Sequence, residues 1–122
     1  SGTTAKSLED TLLKRLDQVD DLIAANSSNE KSINKLFDNM KCTFQKIGLV
    51  KYDAFQEMGG KLSFSLAMLN EEDDGFVINA VHSREGCYTY IKEIVGGNSI
   101  IVLADEEQEA LDMAKEANKP AK

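Results

Sequence analysis

An α+β fold, with a long N-terminal helix, an antiparallel meander of about five strands and a C-terminal helix packed on the sheet, follows from three features of this 122-residue sequence. Ahead of Gly48 the apolar positions recur about every three and a half residues, and after it about every two. A last segment from Asp105 returns to helical spacing. The segments between alternating stretches are short and rich in turn residues, which joins neighbouring strands antiparallel.

With Leu12 at a d position, the a/d series runs Leu12, Leu16, Val19, Ile23, Asn26, Glu30, Ile33, Phe37, Met40, Phe44, Ile47, and nine of these eleven are apolar. Gly48 suits the C-terminal stop of such a helix. Ser27 and Glu30 have capping-box spacing, so a helical hairpin breaking there is the alternative. The heptad phase survives the interruption without a slip, which favours one continuous helix. Leu12, Leu16, Val19 and Ile23 suit pairing with a second copy, giving a homodimer or higher oligomer. Farther on, Leu36, Phe37 and Phe44 suit the face of a sheet, so that part of the helix is expected to cover its own domain's core.

Val50, Tyr52 and Ala54 begin the alternation, followed by residues 62–68, 76–81 and 87–95, with Ile100 to Leu103 as a fifth strand. Gly59-Gly60, Asn70–Gly75, Ser83–Gly86 and Gly96-Gly97-Asn98 supply the turns. Asp105 is the expected cap of the last helix, with acids through its first turn. Ala110, Leu111, Ala114 and Ala117 give it a small-residue face able to lie close to the sheet. The organisation expected is a cleavage scar and disordered lead over 1–7, a helical stalk over 8–47, the sheet domain over 48–118 and a frayed tail over 119–122.

The net charge is −7. Residues 1–48 carry seven basic and seven acidic side chains, whereas 49–122 carry seven and fourteen. Phosphate backbones and anionic headgroups repel such a C-terminal half, which argues against nucleic acid. No run is long and apolar enough to span a membrane. Cys42 and Cys87 sit far apart in no CxxC pair, so two free thiols are expected and no structural zinc site.

Chemistry-bearing residues concentrate in His82-Ser83-Arg84-Glu85-Gly86. Neighbours on a strand point to opposite faces, so His82 is badly placed to activate Ser83. A hairpin is expected instead, with Gly86 at positive φ and Arg84 and Glu85 at the tip. The candidate binding surface combines His82, Ser83, Arg84 and Glu85 with Asp53, Phe55 and Glu57, and the alternative is a small-molecule pocket between sheet and helix using Arg84, Tyr88 and Tyr90. The acidic run Glu71 to Asp74 lacks EF-hand spacing and reads as a solvated turn. Gly59-Gly60 precedes no helix and makes no phosphate cradle. No catalytic residue, metal or cofactor is implied, and the expectation is a non-enzymatic module.

The wording of the second half resembles a bacterial family known only as a domain of unknown function. Gly48 to Phe55 matches its Gly-Leu-Val-x-Tyr-x-Ala-Phe opening, and Leu62 to Ala67 its Leu-Ser-Phe-Ser-Leu-Ala strand after Gly59-Gly60. Ser83 to Glu85 and Tyr90 to Lys92 match its Ser-Arg-Glu turn and Tyr-x-Lys strand, with Glu93 where members often carry proline. The resemblance covers about the last two-thirds of the chain. It implies an N-terminal membrane helix, a coiled-coil stalk and a cytoplasmic α+β domain, and it carries no activity.

Overall fold

A computed structural model describes residues 2–56 and 60–117. The elements run α1 (Gly2–Met40), β1 (Lys46–Tyr52), β2 (Ser63–Leu69), β3 (Gly75–Ser83), β4 (Gly86–Ile94) and α2 (Asp105–Glu116). They fall into two compact units, Ser1–Asp38 and Asn39–Lys122.

The first unit is one uninterrupted helix. No break forms at Asn26–Glu30, where Asn26 Nδ2 instead donates to Glu30 Oε1 one turn on. Gly2–Ser7, expected as a disordered lead, is helical. No α1 residue is buried, and Leu12, Leu16, Val19 and Ile23 all stay exposed. Leu36 and Phe37 are each 61% exposed.

Helix α1 ends at Met40, short of the expected Ile47. The Met40 carbonyl is taken by Thr43, through both its backbone N–H and its hydroxyl, and by the Gln45 amide. These local bonds draw the acceptor away from the helical ladder. Phe44 therefore lies beyond the helix, where its ring meets Phe76 edge to face at 5.3 Å.

The four strands form an antiparallel sheet in the order β1-β2-β3-β4. Gly48, expected to stop the helix, sits inside β1 opposite Ala67. A Cβ there would strike the Ala110 carbonyl and lie 2.8 Å from the Ala114 nitrogen. The position marks the closest approach of α2 to the sheet, and Ala110 and Ala114 permit it.

The register sorts the side chains into two faces. Gly48, Ala67, Val77 and Lys92 form one row, and Val50, Ser65, Asn79 and Tyr90 the next. This face takes α2, and Ala67, Leu69, Val77 and Ile94 are buried with Ala110, Leu111 and Ala114 as the core.

The expected fifth strand is absent: Ile100 to Leu103 runs as irregular chain, with Ile100 fully exposed and Val102 87% exposed. Its carbonyls go to side chains instead of a ladder, Ile101 accepting from Ser99 Oγ and Val102 from Lys92 Nζ. The cap of α2 also shifts by one residue. Ala104 is the N-cap, and the Glu107 carboxylate accepts its N–H at 2.9 Å. The frayed tail expected over 119–122 lies outside the described residues.

Candidate functional site

Strand β3 ends at Ser83 and β4 begins at Gly86, so Arg84 and Glu85 form a two-residue hairpin loop. Gly86 has φ +156°, in the region that favours glycine. Ser83 Oγ donates to the Gly86 carbonyl at 3.0 Å and accepts the Glu85 N–H at 3.3 Å. Its hydroxyl is a turn brace.

The partner of the His82 ring is Cys87, directly across the hairpin. Cys87 Sγ lies 2.6 Å from His82 Nδ1 and 3.7 Å from Nε2. Sequence reasoning missed Cys87, because its importance comes from strand register and not from proximity along the chain. A two-residue loop closing on Ser83–Gly86 is the signal that pairs 82 with 87.

The remaining candidates do not converge on one surface. Tyr88 pairs with Val81 and Tyr90 with Asn79, which places both tyrosines on the α2 face, whereas His82 and Cys87 lie on the opposite one. Asp53 Oδ1 accepts the Gln56 N–H at 2.8 Å and shapes the turn after β1, with Phe55 half exposed in it. Glu57 lies outside the described residues. The acidic turn is likewise structural: Asp73 pairs with Lys46 at 2.8 Å, and Asp74 Oδ1 accepts the Gly96 N–H.

On the α2 side, beside the core, a buried polar row begins. Asn79 Oδ1 accepts from the Tyr52 hydroxyl at 2.6 Å and from Ser65 Oγ at 2.9 Å. Ser63 Oγ accepts the His82 N–H. Burial holds the Tyr52 phenol above its ordinary pKa, helped by the Glu106 and Glu107 carboxylates and opposed by the bond to Asn79. The unfolded chain titrates near the ordinary value of 10.0, so the stability Tyr52 contributes is complete below that pH and lost as pH rises through the higher folded-state value. Melting curves across this alkaline window should fall more steeply for wild type than for Tyr52→Phe. At neutral pH the variant should lose about 1 kcal/mol for the missing hydrogen bond. Equal alkaline slopes would remove the assignment.

The sheet face away from α2 has a different character. Ile47 and Leu49 on β1, Phe64, Leu66 and Met68 on β2, Phe76, Ile78 and Ala80 on β3 and Ile91 on β4 make it apolar from edge to edge. Ile47, Leu49 and Ile91 are 47–67% exposed, and the others are only half-buried. Within the strands its charged residues are Lys51 and Glu93, one on each edge strand. An apolar sheet surface of this extent is the kind of patch that marks an interaction site.

A family model described as a protein of unknown function (DUF4446) matches residues 1–115. The chain is a DUF4446 protein. Neither the curated proteins nor the solved structures contain a match to it. The DUF4446 match spans both units, so helix and sheet domain belong to one family pattern. In this DUF4446 chain no described helix is long and apolar enough to cross a membrane.

Proposed function

We propose that this chain is a self-associating recognition module. In this reading α1 pairs with α1 of a second copy through Leu12, Leu16, Val19 and Ile23, and the open sheet face receives an amphipathic helix with a basic polar side from a protein partner. The observation that carries it is the uncovered apolar face of the four-stranded sheet. A face of large aliphatic and aromatic side chains suits the apolar side of a helix laid into it. Charge sets the partner's polar side. Residues 49–122 carry twice as many acids as bases, and the β2–β3 turn at one end of the face holds Glu71, Glu72, Asp73 and Asp74. The apolar heptad stripe of α1, exposed along its length, supports self-pairing. The family resemblance adds a membrane segment ahead of the stalk and a cytoplasmic sheet domain.

Light scattering of the full chain is expected to give at least a dimer, and a chain starting at Asn39 a monomer. A monomer in both cases rejects the stalk pairing. A labelled synthetic Leu/Lys amphipathic helix should bind the full chain saturably, a Leu/Glu counterpart should not, and Ile91→Glu should weaken the first about tenfold or more. Equal binding of the two peptides, or no binding, rejects the recognition face.

A second reading is favoured by the Tyr52–Asn79–Ser65 cluster, beside which Tyr88 and Tyr90 stand half exposed. It makes the flank of α2 a site for a small polar ligand. A thermal-shift screen against nucleotides and metabolites separates the two, since a ligand of the folded state raises the melting temperature.

A further inference from the structure

Two thiols in this chain provide an internal comparison. Cys42 and Cys87 are both free and exposed. Cys42 follows α1 in a turn, where its backbone N–H donates to the Asn39 carbonyl. Cys87 stands on β4 with an imidazole nitrogen 2.6 Å from its sulfur. The hairpin fixes that approach: His82 and Cys87 are cross-strand partners one step from the two-residue loop, and the Ser63 hydroxyl binds the His82 backbone N–H at 2.9 Å. The pair is thus held by three strands, and the sulfur is open to reagents.

The surroundings select among reagents. Next to the His82–Cys87 pair on the same face come Ala80 with Thr89, then Ile78 with Ile91, which begin the open apolar surface. A reagent with a hydrocarbon tail can lie along that row while its reactive carbon meets the sulfur. We propose that Cys87, with His82 as its base, is a covalent modification site for α,β-unsaturated carbonyl compounds bearing an apolar tail. With the imidazole in its Nε2–H tautomer, Nδ1 accepts the thiol proton as sulfur attacks the β-carbon. A carbon–sulfur bond forms, the carbon–carbon π bond breaks, and its electron pair moves toward the carbonyl. The proton then passes from His82 to the α-carbon. The addition is redox-neutral and expels no leaving group. The tail shares Ile78 and Ile91 with the peptide of the proposed function, but the site rests on the His82–Cys87 geometry and not on that peptide.

The test treats the full chain with acrolein and, separately, trans-2-octenal, and follows adducts at the two cysteines by peptide mass spectrometry. Cys87 should react at least about tenfold faster than Cys42, a modest share of what a positioned base provides. The preference should widen with trans-2-octenal. His82→Gln, or His82→Asn if the first variant loses the wild-type circular dichroism spectrum, should bring Cys87 down to the rate of Cys42. Equal rates at the two cysteines in the wild type overturn the proposal without any variant. A fast Cys87 that ignores loss of the imidazole overturns the role of His82, and a preference unchanged by chain length overturns the apolar seat.

Discussion

Gly48→Ala is expected to destabilise the sheet domain by about 3 kcal/mol or more, the upper end for overpacking a closed core. The new Cβ meets backbone, the Ala110 carbonyl and the Ala114 nitrogen, so no rotamer change relieves it and α2 must move off the sheet. Gly48→Val should be worse still. The sign is informative because both replacements favour extended backbone over glycine and would stabilise a strand whose face was free. Urea denaturation followed by circular dichroism measures the effect, and a loss below about 1 kcal/mol would mean that α2 does not cross β1 at this point.

Lys92→Met should rank with it. Glu107 is 1% exposed, its Oε1 accepts both Lys92 Nζ at 2.8 Å and the Ala104 N–H, and its Oε2 is buried with no hydrogen-bond partner among the described residues. Removing the ammonium leaves a buried carboxylate with no opposing charge, a change that typically costs about 3 to 5 kcal/mol. It also releases the Val102 carbonyl that Lys92 holds, loosening the chain into α2. Adding Glu107→Gln to Lys92→Met should recover part of the loss, since a neutral amide tolerates burial better and can still accept the Ala104 N–H. A double variant as unstable as Lys92→Met alone would show that the charge is not what matters there.

Much of the fold was legible in the sequence, and the failures share a cause. Heptad phase carried α1 across Asn26–Glu30 correctly, because that signal is local and repeated. Alternation and turn residues located β2 to β4 but only the last part of β1, which starts at Lys46 inside the stretch read as helix, and the alanines at 110 and 114 announced a closely packed α2. Gly48 was misread because a glycine after a helical stretch looks like a stop, whereas its reason lies about sixty residues away in α2. Ile100 to Leu103 was read as a strand on β propensity, which does not reveal whether a neighbouring strand exists to pair with. The candidate site suffered in the same way. His82, Tyr88 and Tyr90 were grouped by chemical type, and register then divided them between the faces of the sheet. Cys87 reads along the chain only as a free thiol, because its pairing with His82 comes from the strand register.

The alternation in β2 holds a further lesson. Phe64, Leu66 and Met68 are its larger residues, and the usual expectation turns the larger set inward. Here Ser63, Ser65 and Ala67 are fully buried, with Leu69 at the strand's end as the one large residue buried beside them. Where the backbone of α2 meets Gly48 there is room only for a small neighbour such as Ala67, and the larger Leu69, Val77 and Ile94 fill the core around that point. Hydrophobicity identified two faces, and steric fit decided which of them α2 covers.

Because α2 follows all four strands yet makes its main contacts with β1 and β2, synthesis has a definite order. Each hairpin of the meander joins residues close in sequence and can zip as it leaves the ribosome. Helix α2 must then reach back across the finished sheet to β1. Until that segment emerges, a nascent chain shows water two bare sheet surfaces instead of one, and that interval is when a chaperone has most to hold.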